Sequence, residues 1–144
     1  MSNKPVIVKK SFYASASAIW EALTNNEELK RWYFQLEDFK PEVGFKFSFT
    51  GGADESVQYL HLCEVTEVIP GKKLVYSWRY DGLEGNSLVT WELEEDGENT
   101  LVTITHTGLE TMAANGPDFA RASFTGGWTY FLEEALARYL ANEK

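Results

Sequence analysis

Cysteine occurs once in the 144-residue sequence, histidine twice and proline four times. One cysteine closes no internal disulfide, so the fold must rest on its core. His61, Cys63 and His106 are too few for a zinc centre of three or four ligands, and no CxxC or HxxxH spacing occurs. We therefore expect no metal and no cofactor. The patterns GxGxxG, GxxxxGKS/T, GxSxG and HExxH are also absent, which removes dinucleotide, P-loop, hydrolase-elbow and zincin chemistry. No run approaches 18 apolar residues, and the opening MSNKPVIVKKSF lacks the apolar core of a signal peptide. A cytoplasmic protein without membrane insertion is expected. Positive charge is scarce: 13 Lys and Arg stand against 22 Asp and Glu, a net charge of −9. Such a surface repels phosphate backbones and anionic lipid, so nucleic acid and bilayer are excluded as partners.

What is abundant is aromatic: 5 Trp, 7 Tyr and 9 Phe make up 15% of the chain, within a hydrophobic share of 44%. That composition excludes disorder and points to one ordered domain over residues 1–144, with a packed core or a core holding a cavity. Val6, Val8 and Phe12 alternate with Lys9 and Ser11 as a first strand. Ala14 to Thr24 then changes to helical period, with Ser15 or Ser17 as cap and Ile19, Trp20 and Leu23 on one face. Asn25-Asn26 breaks it, and Glu27 to Trp32 forms a second short helix.

Strand patterns follow at Val43 to Phe49, Gln58 to Ile69, Leu74 to Tyr80, Val89 to Leu93 and Thr100 to Thr107. Their turn signals are Thr50 to Asp54, Pro70-Gly71, Asp81-Gly82 with Glu84-Gly85, and Asp96-Gly97. Short spacing makes this an antiparallel meander. From Asp118 a helix of more than twenty residues is expected, with Phe124, Trp128, Phe131 and Ala135 on its apolar face and Leu132, Leu136, Tyr139 and Leu140 flanking them. Gly126-Gly127 is its weak point, and the pattern suggests a bend or close approach to the sheet at Gly127. The fold class is α+β, with the long C-terminal helix laid on a sheet face.

Alternation sets Tyr76, Trp78 and Tyr80 on one side of their strand, Val89, Trp91 and Leu93 on one side of the next, and Val102, Ile104 and His106 on one side of the last. If these sides face the helix, Trp78, Tyr80, Trp91, His106, Phe124, Trp128 and Phe131 surround one space. Aromatic walls with indole, phenol and imidazole tips suit a small-ligand site; a filled core whose tips bond to backbone is the other reading. No residue earns a catalytic role. Cys63 reads as a small buried hydrophobe, and a Cys63–His106 nucleophile pair has no orienting carboxylate. Glu92, Glu94, Glu95, Asp96 and Glu98 do not follow a calcium loop and read as a solvated hairpin tip. Glu64 and Glu67 read as exposed strand positions.

The stretch Ala14 to Thr24, followed by Leu29 and Trp32, resembles the opening of the activator-of-heat-shock-protein-90-ATPase-like proteins. Val43 to Phe47, Glu67 to Trp78, Thr103 to His106 and Gly127-Trp128 match in the same order. The resemblance implies the helix-grip fold of START-like, polyketide-cyclase-like and birch-pollen-allergen-like domains: a curved antiparallel sheet wrapped around a long C-terminal helix, two short helices after the first strand, and a cavity between. It implies a small hydrophobic ligand as partner. An acid–base enzyme of the polyketide-cyclase or hydrolase type, using His106 or a tyrosine, and a co-chaperone-like module are the alternatives. Nothing in the pattern specifies an oligomeric state. The family name implies at most a weak chaperone contact, because the stimulating domain of the eukaryotic activator is separate and has no counterpart in these 144 residues. No more than marginal stimulation is expected in a chaperone ATPase assay; robust, saturable activation would contradict this.

Overall fold

Period-2 alternation carries through into one six-stranded antiparallel sheet in the computed structural model, which describes residues 4–33, 36, 38–54, 57–116 and 119–143. The strands are β1 (Val6–Phe12), β2 (Lys46–Asp54), β3 (Val57–Ile69), β4 (Lys73–Tyr80), β5 (Ser87–Asp96) and β6 (Asn99–Thr107). Their order is β1-β6-β5-β4-β3-β2, so the meander runs from β2 to β6 and β1 pairs beside its end. Register fixes the inner face: Val6 and Val89 both oppose His106, Leu74 opposes Trp91, Trp78 opposes Ser87, and Phe49 opposes His61. A one-residue slip would turn all of these outward, so burial of this face locks the pairing.

Two short helices connect the sheet edges, α1 (Ala16–Thr24) and α2 (Asn26–Trp32). Ser15 caps α1, its Oγ accepting from the Ala18 N–H at 3.1 Å. Asn25 ends α1 and starts α2, its Oδ1 accepting from the N–H groups of Glu27 (2.9 Å) and Glu28 (3.3 Å). Acids in the first turn and Lys30 and Arg31 in the last complement the helix dipole. The Trp32 indole donates to the Ala22 carbonyl at 2.9 Å and ties the two helices together. Among the described residues no helix is long and apolar enough to cross a membrane.

One expected turn is strand. Thr50 to Asp54 continues β2 to its end, with a register irregularity between Gly51 and Asp54. Gly51 still opposes Tyr59, so the glycine pair is absorbed as a bulge in a ladder that holds on either side.

The expected helix start at Asp118 lies outside the described residues; the described helix begins at Arg121. It runs as α3 (Arg121–Tyr130), a π-helical stretch (Phe131–Leu136) and α4 (Ala137–Glu143). Phe124, Trp128, Leu132, Leu136 and Leu140 are buried, whereas Phe131 and Ala135 are half-buried. Tyr139 is buried beside them, and the other five recur every four positions. At 3.6 residues per turn each such step over-rotates by about 40°, so a straight α-helix would carry Leu140 off the core face. The wider i→i+5 turn resets that drift, which is why the irregularity sits at Phe131–Leu136.

Gly126-Gly127 does not make the close approach expected of it, and α3 runs as α-helix through both positions. Both glycines are exposed, and a Cβ at either would meet nothing within 4 Å. The tightest glycine is Gly85, at φ +100, where a Cβ would lie 2.5 Å from the Thr111 carbonyl oxygen. Gly126→Ala and Gly127→Ala should each therefore raise stability, by up to about 1 kcal/mol. Gly85→Ala should lower it by about 1–3 kcal/mol through strain and overlap. Thermal melts of the three variants check both signs.

Candidate functional site

The inner sheet face and the C-terminal helix meet around Trp128. Its ring lies 5.3 Å from Trp78, 5.9 Å from Trp91, 5.8 Å from His106 and 6.2 Å from Phe131. Phe124 packs edge-on to His106 at 5.0 Å. Tyr80 stands away from the helix: it packs on Phe119 at 4.8 Å and accepts a hydrogen bond from the Trp78 indole at 2.9 Å. Six of the seven residues singled out from the sequence thus form one continuous cluster, and the seventh extends it through Trp78.

Polar tips within this cluster pair with one another in a fixed direction. Trp128 Nε1–H can only donate, and it does so to His106 Nδ1 at 2.9 Å. The hydrogen of the neutral imidazole is therefore on Nε2, which donates to Ser87 Oγ at 2.8 Å. Ser87 Oγ–H in turn donates to the Trp78 carbonyl at 2.7 Å. A second network lies alongside: Trp91 Nε1–H donates to the Tyr76 hydroxyl at 3.0 Å, and Tyr76 and Tyr33 share a hydrogen bond of 3.0 Å.

Burial holds these groups neutral. It lowers the pKa of His106 to about 3 and that of His61 to about 4, the latter against the opposing pull of backbone hydrogen bonds at Tyr59 and Phe49. The same desolvation raises Tyr76 and Tyr33 well above the usual phenol range and pushes Tyr80 up to about 12. Cys63 is buried and its thiol is driven up, with Arg79 opposing only in part, so it has no thiolate character. His61 stacks on Phe49 at 4.4 Å, and the Trp78 ring stands between the two histidines, 4.9 Å from His61 and 5.5 Å from His106. Among the described residues no group of three or more His, Cys, Asp or Glu could hold a metal ion. The hairpin acids from Glu92 to Glu98 that were singled out are exposed; Glu67 is exposed and pairs with Lys73 at 3.4 Å, while Glu64 is half-buried.

Sequence reasoning missed the centre of the site, which is Tyr33. It follows α2 directly and touches Trp32, Phe49, Trp91, Trp128 and Phe131, stacking on Trp128 at 6.5 Å. The signal was there as a second aromatic beside Trp32 at the end of an amphipathic helix. Tyr33 and Trp32 wall off an inner void of about 10 Å³, bounded by residues such as Leu29, Phe47, Tyr76 and Trp91, with room for no more than one water. On the other side of the same two rings lies an open groove of about 420 Å³ between α2 and the C-terminal helix, lined also by Arg31, Tyr130, Ala135, Arg138 and Tyr139.

The family model of activator of Hsp90 ATPase homolog 1-like proteins matches residues 13–141. The chain belongs to this family. Solved structures of like fold include DynU16, from the dynemicin biosynthetic locus, at 25% identity and a TM-score of 0.80. That match covers 99% of this chain and 49% of DynU16, so the chain spans about half the length of that relative. The protein MLL2253 from Mesorhizobium loti matches at 26% identity and a TM-score of 0.80, over 98% of this chain and 99% of its own. CalU16 from Micromonospora echinospora, at 22% identity and a TM-score of 0.74 over 96% of this chain and 77% of its own, shows the fold alone. No curated protein matches. The architecture is the helix-grip, START-like fold expected from the sequence.

The two buried histidines make stability depend on pH in a defined direction. Both have folded-state pKa values, about 4 and about 3, below the ordinary 6.5. Their contribution is present above pH 6.5 and is lost as pH falls through the window toward those values, because only the unfolded chain takes up the protons. Between pH 6.5 and 4.5 the two together should remove about 4 kcal/mol of unfolding free energy. Urea unfolding across this range measures it, and His106→Gln should remove about half of the histidine-linked slope.

Proposed function

We propose that the protein binds a small hydrophobic molecule between its sheet and its C-terminal helix, with Trp78, Tyr80, Trp91, His106, Phe124, Trp128 and Phe131 forming the ligand-facing surface and Tyr33 closing it. The observation that carries this reading is the neutrality of the cluster. Burial biases His61, Cys63, Tyr33, Tyr76, Tyr80 and His106 toward their uncharged forms. Apolar walls with a few neutral hydrogen-bonding groups are the chemistry of a binding pocket. The fold family's association with small hydrophobic molecules supports the same class of ligand.

The acid–base alternative has less support. A general base works best with a pKa near the operating pH and a free lone pair toward its substrate. His106 has Nδ1 taken by Trp128 and Nε2 by Ser87, and its pKa lies far below neutrality. These features suit a residue that holds walls together.

Entry of a ligand must displace Tyr33 or enlarge the space beside it, since the void there is about 10 Å³. Binding should therefore change tryptophan emission through Trp91 and Trp128, both in contact with Tyr33. Titration with fatty acids, flavonoids and neutral aromatic amphiphiles tests this, the expected result being a saturable change for at least one class. Tyr33→Ala should bind that class more tightly, by severalfold, because the plug is gone. No saturable change in either protein would overturn the proposal.

A further inference from the structure

One line of hydrogen bonds through the aromatic cluster runs from the helix toward Tyr80. Trp128 donates to His106, His106 to Ser87, and Ser87 to the Trp78 carbonyl. The Trp78 indole then donates to the Tyr80 oxygen at 2.9 Å. An indole N–H can only donate, so the Tyr80 hydroxyl spends a lone pair on this bond and keeps its own hydrogen. Among the described residues none accepts that hydrogen. Tyr80 is 5% exposed and boxed by His61 at 4.7 Å, Phe119 at 4.8 Å and Tyr59 at 5.8 Å. A buried donor without an acceptor is costly, and it marks a place where another molecule can complete the bond. Desolvation pushes the phenol up to about 12, so it stays a donor at neutral pH. The Tyr33 hydroxyl feels Tyr80 electrostatically, which sets both phenols around the same interior space.

We infer that Tyr80 selects a ligand carrying a neutral carbonyl, whose oxygen accepts the phenol hydrogen while the apolar body lies along Trp78 toward Trp128. The inference rests on the binding reading above and adds the ligand's polar group and the end at which it sits. An anion is disfavoured, because no ring packed on Tyr80 carries a positive charge: Trp78, Tyr59 and Phe119 cannot, and burial holds His61 neutral, its pKa lowered to about 4. An alcohol would bring a hydrogen of its own into aromatic walls, whereas a carbonyl brings only lone pairs. The indole bond sharpens the choice, since a hydroxyl that already accepts is polarised and donates more strongly. A ligand that swings Tyr33 aside meets a continuous line of rings, with Trp78 5.3 Å from Trp128 and 6.4 Å from Tyr80.

Equilibrium dialysis with 2-acetylnaphthalene and 2-ethylnaphthalene, which differ in a carbonyl against a methylene, separates the hydrogen bond from the apolar body. Tyr80→Phe should shift the ratio of ketone to hydrocarbon affinity about tenfold toward the hydrocarbon, the fold-change of one well-made hydrogen bond. That variant also strips the Trp78 indole of its acceptor, so a second measurement reads the bond in the intact fold. The carbon-13 signal of the labelled ketone carbonyl should move downfield on binding, and further when Tyr80 is replaced by 3-fluorotyrosine, a stronger donor of nearly the same shape. A ratio unchanged by Tyr80→Phe, or a carbonyl signal indifferent to fluorine at position 80, would overturn the inference. The interior pocket would then still stand on binding of the hydrocarbon, which needs no hydrogen bond. Binding of neither probe, by the native protein or by Tyr33→Ala, would overturn both.

Discussion

The hydrogen bond from Trp128 to His106 is the contact on which the rest of the structure depends. An indole N–H buried under a helix has no water to turn to, and leaving it unpaired costs about 1–3 kcal/mol. His106 supplies the acceptor from β6, and this fixes the imidazole tautomer. The remaining hydrogen then needs an acceptor, which Ser87 provides, and the serine hydroxyl closes the chain on the Trp78 carbonyl. One bond between helix and sheet thereby orients three successive elements. The helix cannot rotate about its axis without breaking it.

The C-terminal helix is shaped to serve that contact along its whole length. Five of its buried residues, from Phe124 to Leu140, recur every four positions, a spacing that α-helical geometry cannot keep on one face for long. The π-helical stretch at Phe131–Leu136 corrects the drift directly after Trp128, so that Leu132 and Leu136 are fully buried and Leu140 still reaches the core. Local irregularity here preserves global packing. The same stretch brings Ala135 and Arg138 to the side facing α2, which ties the outer groove to the geometry of the core.

Much of this was legible in the sequence. Alternation in Leu74–Tyr80 and Thr100–Thr107 set the inward residues correctly, Ser15 capped the first helix as its type and position indicated, and the meander followed from turn dipeptides at close spacing. Less legible were features that depend on what lies opposite. Thr50 to Asp54 has turn composition, but the register of β3 keeps it in the ladder. Gly127 looked tight because it precedes Trp128, whereas its own side of the helix faces solvent. Tyr33 shows in the sequence only as a second aromatic beside Trp32, because it sits at a helix end, where neither period places a side chain on a face. The π-helical stretch arises only once the helix is placed on the sheet.

The functional reading turns on one property: His106 is a neutral, doubly engaged strut and not a base. Nitrogen-15 shifts of the His106 ring, followed by NMR from pH 7.5 downward, test this most directly. The account expects a single Nε2–H tautomer whose shifts stay constant to about pH 4.5, until unfolding intervenes, in keeping with a pKa near 3. A ring that titrates between pH 6 and 7 in the folded protein, or one carrying its hydrogen on Nδ1, would contradict it and return His106 to the list of candidate bases.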